Sequence, residues 1–170
     1  MLNEKVANLL NEQVNAELYS AYLYLDFAIY YDAEGLDGFA NWYKIQAQEE
    51  RDHAMLMLQY LQNNGEKVTL KAIDKPDKVL DDKMKVLHFG LEHEQLVTSL
   101  IHNIYDAAYN VRDFRTMQFL DWFVKEQCEE EKNAEDMIKK MELFGDDCKG
   151  LYMLNSELAA RVYSAPSLTL

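Results

Sequence analysis

Residues that break helices or cross-link chains are scarce in this sequence. Its 170 residues include six glycines and two prolines, so long stretches carry no helix breaker. The two cysteines, Cys128 and Cys148, are too few for a disulfide framework, and no Cys-x-x-Cys pair occurs. Two free thiols fit a reducing environment, and we expect a cytoplasmic protein.

Basic residues and long apolar runs are scarce as well. Lys and Arg number 17 against 30 Asp and Glu, which gives a formal net charge of -13. Because binding to phosphates needs a basic surface, we do not expect nucleic acid as a partner. No run is apolar and long enough for a signal peptide or a membrane span, so we expect no membrane association either.

Helical periodicity extends over most of the chain. With 49% hydrophobic residues, the sequence suits one globular domain covering residues 1–170. Apolar residues recur at helical spacing in four long segments, roughly residues 4–33, 39–64, 82–110 and 113–144. Gly35 and Gly38 mark the first turn, with Asp37 a candidate cap, and Gly145 ends the fourth helix. The expected fold is therefore all-α, a four-helix bundle.

Two further segments shape this bundle. Residues 65–81 can span more than about 50 Å, enough to cross its whole length and start the third helix parallel to the second. The joints near Gly35 and Arg112 are short and predict antiparallel neighbours. A short fifth helix is predicted from Leu151 to about Val162, and we expect its apolar side to meet another subunit: Leu151, Leu154, Leu158 and Val162. Residues 164–170 are expected to be frayed.

Each long helix carries one acid in its apolar ladder, near its midpoint: Glu17, Glu50, Glu94 and Glu130. Helices of about 28 residues are about 40 Å long, so packing them side by side brings the four acids to one level. Carboxylates that meet inside a bundle repel each other and lose their hydration unless a cation compensates. No Lys or Arg occupies these ladders. A pair of bound metal ions is the economical explanation.

Two neighbouring residues strengthen the metal hypothesis. His53 lies three residues after Glu50, and Gln127 three residues before Glu130, so each pair shares one face of its helix. Carboxylates with one imidazole suit iron or manganese better than a soft metal. Glu50 is central enough to bridge two ions, with Glu94 and Glu130 completing the second site.

The chain resembles the bacterial non-haem ferritins over essentially all its length. The resemblance is carried by residues 10–13 with 17–20, 48–53, 94–96, 126–131, 150–152 and 157–158. A bundle with paired interior carboxylates is the known arrangement of ferritin-like di-iron proteins, so it is matched here rather than deduced. The fourth helix departs from the symmetric form, because Gln127-x-x-Glu130 stands where a second Glu-x-x-His would be.

The resemblance implies a role for each site residue. Glu17, Glu50 and His53 would hold the first iron, and Glu50, Glu94 and Glu130 the second. Gln127 would lie beside them and order a bound water or dioxygen. A third iron position, nearer the cavity, would use Glu49, Glu126, Glu129 and Glu130. Tyr24 would hydrogen-bond the site and is a candidate electron donor, with Trp122 the other redox-capable neighbour.

The resemblance also implies an activity and an assembly. The expected function is iron storage with ferroxidase activity, in which dioxygen or hydrogen peroxide oxidises Fe(II) and the ferric product mineralises inside a hollow shell of 24 identical subunits. Haem is not expected, because Arg51 stands where bacterioferritins carry the haem-binding methionine. Rubrerythrins append a Cys-x-x-Cys module that this chain lacks, and mini-ferritins hold iron between subunits and have no fifth helix.

Plainer interpretations stay open for several residues. Glu49, Glu126 and Glu129 could form a solvated acidic stripe, and Tyr24 could be an ordinary core aromatic. The remaining histidines are interpreted as surface or packing residues: His88, His93 and His102. A four-helix binding module without metal chemistry is the alternative function, although its interior acids would then need partners that the sequence does not supply.

Overall fold

The computed structural model describes residues 2–170, which form five helices and no strand. The helices are α1 (Glu4–Ala33), α2 (Asp37–Asn63), α3 (Lys83–Asn110), α4 (Phe114–Phe144) and α5 (Cys148–Ala159). This confirms the all-α fold with a short C-terminal helix. Within residues 2–170, no helix combines the length and the apolar character needed to cross a membrane.

Most of the helices begin at a polar side chain that accepts a backbone N–H. Asn3, Asp82, Asp113 and Asp147 cap α1, α3, α4 and α5 in this way. The predicted cap of α2 was wrong, because Leu36 precedes the helix and Asp37 already lies in its first turn. There Asp37 accepts a hydrogen bond from the side-chain amide of Asn155, at 2.7 Å.

Two apolar clusters fix the directions of the four long helices. The upper cluster joins the end of α1 to the starts of α2 and α3 and the end of α4; it includes Phe27, Phe39, Leu87 and Met137. The lower cluster joins the opposite halves of the same helices; it includes Leu10, Met57, Ile101 and Phe123. The starts of α2 and α3 therefore lie at one end, as expected for parallel helices. The connection between them passes α1, where Asn11 and Asn15 bind the backbone of Thr69 and Lys71.

The fifth helix packs on its own bundle, which corrects the expectation that its apolar side meets another subunit. Leu154 and Leu158 are buried in the upper cluster. Asn155 accepts hydrogen bonds from the backbone N–H groups of Gly38 and Phe39, at 2.8 and 3.3 Å. A Cβ on Gly38 would lie 1.7 Å from the carbonyl oxygen of Asn155, so only glycine permits this approach.

The bounds of α5 and the course of the residues after it also differ from expectation. The helix starts at Cys148 and ends at Ala159, about three residues earlier at each end than predicted, and Val162 is 83% exposed. Residues 164–170 were expected to be frayed. Instead Ser167 accepts a hydrogen bond from the indole N–H of Trp122 at 3.0 Å, and Leu168 packs against the lower cluster. These contacts tie the segment to the bundle.

Candidate metal centre

A layer of buried polar residues separates the two apolar clusters. Glu17, Glu50, Glu94 and Glu130 lie in it, one from each long helix, and all are almost completely buried. Each has upper-cluster residues on one side along its helix and lower-cluster residues on the other. No Lys or Arg side chain among residues 2–170 is buried with them. Four acids buried in one layer without a Lys or Arg partner require protons or a bound cation.

Two of these acids and a neighbouring histidine already have the spacing of a metal site. Glu17, Glu50 and His53 each offer one ligand atom, and these atoms lie within 4.8 Å of one another. Nδ1 of His53 is 3.4 Å from Oε2 of Glu50, one turn apart on α2. Both oxygens of Glu50 and Oε2 of Glu17 are buried without a hydrogen-bond donor. Such oxygens are free to act as ligands.

One oxygen on each of the other three acids of the layer accepts a hydrogen bond from a glutamine. Gln13 donates to Oε1 of Glu17 at 2.9 Å. Gln127 donates to Oε2 of Glu94 at 3.1 Å. Gln46 donates to Oε2 of Glu130 at 2.8 Å. Each of these three acids therefore keeps a fixed orientation, whereas Glu50 receives no such bond.

Burial and mutual repulsion raise the pKa values of all four acids. Burial, followed by the charge of Glu50, raises the pKa of Glu17 to about 8. Burial, followed by the charge of Glu94, raises the pKa of Glu130 to about 8. The pKa of Glu94 rises to about 6, again chiefly through burial, and that of Glu50 lies well above its usual range. A metal ion bound among these acids would displace their protons.

Tyr24 is completely buried beside Glu94, to whose Oε1 its hydroxyl donates a hydrogen bond. Its ring packs against Phe27, Tyr43 and His93. His93, interpreted from sequence as a surface or packing residue, packs on Tyr24, and its Nε2 lies 2.8 Å from the hydroxyl of Ser20. Burial lowers the pKa of His93 to about 4, so the ring is neutral and adds no cation. His88 and His102 are exposed.

Three of the four acids predicted for a third position lie outside the layer, and the fourth, Glu130, lies in it. Glu49 and Glu126 are half-buried on α2 and α4, and Glu129 is exposed. Burial raises the pKa of Glu49 and of Glu126, and the guanidinium of Arg161 opposes the rise for Glu49. The ring of Trp122 packs edge-on against that of His53, with centroids 5.5 Å apart. Glu49 is paired with Arg161, at 2.6 Å.

Sequence reasoning assigned no role to Gln13, Gln46 or Arg161. A signal for the two glutamines was present, because each stands four residues before a layer acid: Gln13 before Glu17, and Gln46 before Glu50. Spacing of four places both members of a pair on one helix face. No local pattern could have shown Arg161, since its partner lies 112 residues away in the chain.

Comparison with known families agrees with this geometry. Residues 7–144 match the family model "Ferritin", described as a ferritin-like domain. A bacterial non-heme ferritin of Staphylococcus epidermidis is 38% identical over 164 residues, covering 96% of this chain and 99% of that protein. A bacterial non-heme ferritin of Bacteroides fragilis is 37% identical over 161 residues, covering 95% of this chain and all of that protein.

Solved structures give the same result. An open-pore ferritin from the hyperthermophilic archaeon Archaeoglobus fulgidus superposes with a TM-score of 0.93 at 42% identity. The match covers 95% of this chain and 100% of that one. The similarity therefore extends over the four long helices, the crossover and α5.

Proposed function

The chain belongs to the ferritin family of iron-storage proteins, and we propose that it oxidises Fe(II) at a dinuclear site within each subunit. The observation that supports this most strongly is the buried layer of four acids, one from each long helix. No Lys or Arg among residues 2–170 is buried with them. Iron is the substrate of this site. The ferric product would then be stored as a mineral inside a shell of 24 subunits.

We assign the two iron positions as follows. Glu17, Glu50 and His53 bind the first ion, and their ligand atoms are already grouped within 4.8 Å. Glu50, Glu94 and Glu130 bind the second ion. Glu50 is the bridge, which is supported by its two donor-free oxygens and by its interaction with the charges of both Glu94 and Glu130. Carboxylate oxygens with one imidazole form a hard donor set that suits iron.

The number of electrons that iron supplies determines which oxidants the site can reduce. Each Fe(II) gives one electron, so two ions bound together can reduce one dioxygen to hydrogen peroxide, or one hydrogen peroxide to water. Protons released from Glu17 and Glu130, whose pKa values are raised to about 8, are available to the reduced oxidant when iron binds. Tyr24, which donates its hydroxyl hydrogen to Glu94, is a candidate source of a further electron. Trp122 is the second candidate, through its contact with His53.

A third iron position formed by Glu49, Glu126, Glu129 and Glu130 would receive iron on its way to the cavity. It is supported by the partial burial of Glu49 and Glu126 and by the charge of Glu126, which raises the pKa of Glu49. Glu130 belongs to both the inner layer and this outer set. Iron could therefore pass outward without leaving the carboxylates.

Assembly into a closed shell is supported by apolar residues that the single subunit leaves exposed. Tyr22, Leu25 and Ile29 lie on the outer face of α1, and Tyr152 and Met153 on the outer side of α5. Large exposed apolar side chains grouped in this way are typical of subunit contacts. The α5 contact would use Tyr152 and Met153, since Leu154 and Leu158 are already buried in the subunit.

Anaerobic Fe(II) titration followed by exposure to air tests the proposal. We expect at least two tight sites per chain and ferric absorbance that develops faster than in protein-free buffer. Glu130→Ala should lower the stoichiometry and slow the oxidation, whereas Glu142→Ala, an exposed acid on the same helix, should change neither. Unchanged stoichiometry in Glu130→Ala would refute the second position, and elution only as monomers or dimers would refute the shell.

A four-helix binding module without metal is the competing hypothesis. It predicts no acceleration of Fe(II) oxidation in any variant. It also assigns no function to the buried acids of the layer, which would then be protonated side chains. The grouping of Glu17, Glu50 and His53 at metal-ligand spacing argues against this hypothesis.

A further inference from the structure

The segment after α5 lies against the acids of the outer position. We call residues 160–168 the C-terminal strap. On its α2 side, the side-chain amide of Asn41 donates to the carbonyl of Arg161 at 3.1 Å, and the hydroxyl of Tyr163 donates to Asp52 at 2.5 Å. Its α4 side is held by Ser167, which accepts from Trp122. The strap is therefore attached to both helices that carry the outer acids.

Arg161 is the charged residue of the strap that faces these acids. Its Nη2 donates to Oε2 of Glu49 at 2.6 Å, and both side chains are only 17% exposed. The guanidinium carbon lies 3.9 Å from the ring centre of Trp42, and Nη1 donates to the backbone carbonyl of Trp42 at 3.3 Å. Stacking on Trp42 and two polar contacts hold the guanidinium in one place.

This position brings a permanent positive charge to the junction of the two iron sites. The carboxylates whose charges act on Arg161 are Glu49 and Glu130. Glu130 is the acid shared between the dinuclear layer and the outer position, and Glu49 is a ligand of the outer position alone. A guanidinium bonded to Oε2 of Glu49 leaves only one oxygen of this carboxylate free for iron, and it repels a divalent ion placed beside it.

We propose that Arg161 is a built-in competitor of iron for Glu49, and that it determines how strongly the third position binds metal. This inference rests on the proposed function. While Arg161 holds Glu49, iron stays in the dinuclear layer. Iron that takes Oε2 of Glu49 has to displace Arg161 from it. The strap therefore sets the balance between keeping iron at the oxidation site and passing it outward.

Charge substitution at position 161 tests this inference by anaerobic Fe(II) titration. Arg161→Gln removes the positive charge and should bind a third ion per subunit at least about tenfold more tightly than the wild type, as expected when one unit charge beside a partly buried site is removed. Arg161→Lys keeps the charge and should resemble the wild type. Arg115→Gln, which removes an exposed arginine on α4, is the matched control and should leave all affinities unchanged.

A double variant separates competition from loosening of the fold. In Arg161→Gln/Glu49→Gln the gain at the third position should disappear, while two tight ions remain in every variant. No gain in a folded, assembled Arg161→Gln protein would overturn the inference, and so would an equal gain in Arg115→Gln or a gain that survives in the double variant. If the wild type binds no iron at the two tight sites, the proposed function itself is overturned.

Discussion

The side-chain amide of Gln46 on α2 donates to Oε2 of Glu130 on α4 at 2.8 Å, across the interior of the bundle. Both side chains are buried, so breaking this bond would leave buried polar groups without a partner. It orients an acid that belongs to both proposed sets of iron ligands. If Glu130 binds iron as proposed, Gln46 is a positioning residue that acts through Glu130.

Replacing Gln46 by leucine should weaken the second iron site. A hydrogen bond to a charged group is worth about 1.5–3 kcal/mol, which corresponds to about tenfold or more in affinity. Anaerobic Fe(II) titration should show this loss at the second ion, with the first ion little changed. Gln48→Leu on the same helix is the control, because Gln48 bonds to Asp52 outside the layer. An equal loss in both variants would argue against positioning by Gln46.

The metal-free protein should lose stability as pH rises from about 5 to 8. Unfolded glutamates titrate near pH 4.3, whereas the folded pKa values of Glu17 and Glu130 are raised to about 8 and that of Glu94 to about 6. In this window the folded state binds more protons than the unfolded state, so the free energy of unfolding falls with pH. The stability these acids contribute is fully present below pH 4.3 and is lost through pH 8.

Urea unfolding of metal-stripped protein at fixed concentration, at pH 5.5 and 8, measures this dependence. We expect a lower midpoint at pH 8 and a smaller difference in Glu130→Gln, whose amide cannot ionise. Bound metal should also reduce the difference, because it replaces the protons as the compensating charge. A midpoint that rises toward pH 8 in the metal-free protein would contradict the raised pKa values.

Tyr24→Phe should slow iron oxidation without removing an iron site. The ring contacts with Phe27 and Tyr43 are kept, and only the hydrogen bond to Glu94 is lost. We expect two tight ions per chain and a severalfold slower ferric signal in stopped-flow absorbance. Freeze-quenched samples should also lose any tyrosyl radical seen in the wild type. The control is Tyr43→Phe, which removes a buried hydroxyl near Gly90 and should leave the rate unchanged.

Asn155→Ala should detach α5 from the bundle. The substitution removes the acceptor of the Gly38 and Phe39 N–H groups and the donor to Asp37. Loss of a helix cap of this kind costs about 1–2 kcal/mol, so the thermal midpoint should fall. Ser156→Ala is the matched control, since Ser156 is exposed and bonds only to its own helix at Tyr152. Equal midpoints in the two variants would show that the α5 contact contributes little.

Periodicity predicted those parts of the molecule whose cause is local. The four long helices could be read from their ladders, and the acids that interrupt the ladders do lie in one layer, since helices of similar length align their midpoints. The crossover followed from its length alone. These features depend on residues within a few turns of one another, or on simple lengths.

Contacts between distant segments account for what the sequence could not predict. The docking of α5 depends on Asn155 meeting Gly38, and the strap depends on Arg161 meeting Glu49. Neither pair produces a periodic pattern in the sequence, because each joins residues more than a hundred positions apart. The early start of α2 has the same origin: Asn155 accepts the first N–H groups of the helix, so no local cap is needed.

The polar layer draws every acid from a single chain. If shells are assembled from mixtures of wild-type and Glu130→Ala subunits, each subunit carries a complete site or a defective one, and no site is shared between neighbours. Oxidation capacity should then scale in direct proportion to the fraction of wild-type subunits. A cell or an engineer could thus adjust the oxidising capacity of a shell by its subunit ratio, while its storage volume stays constant.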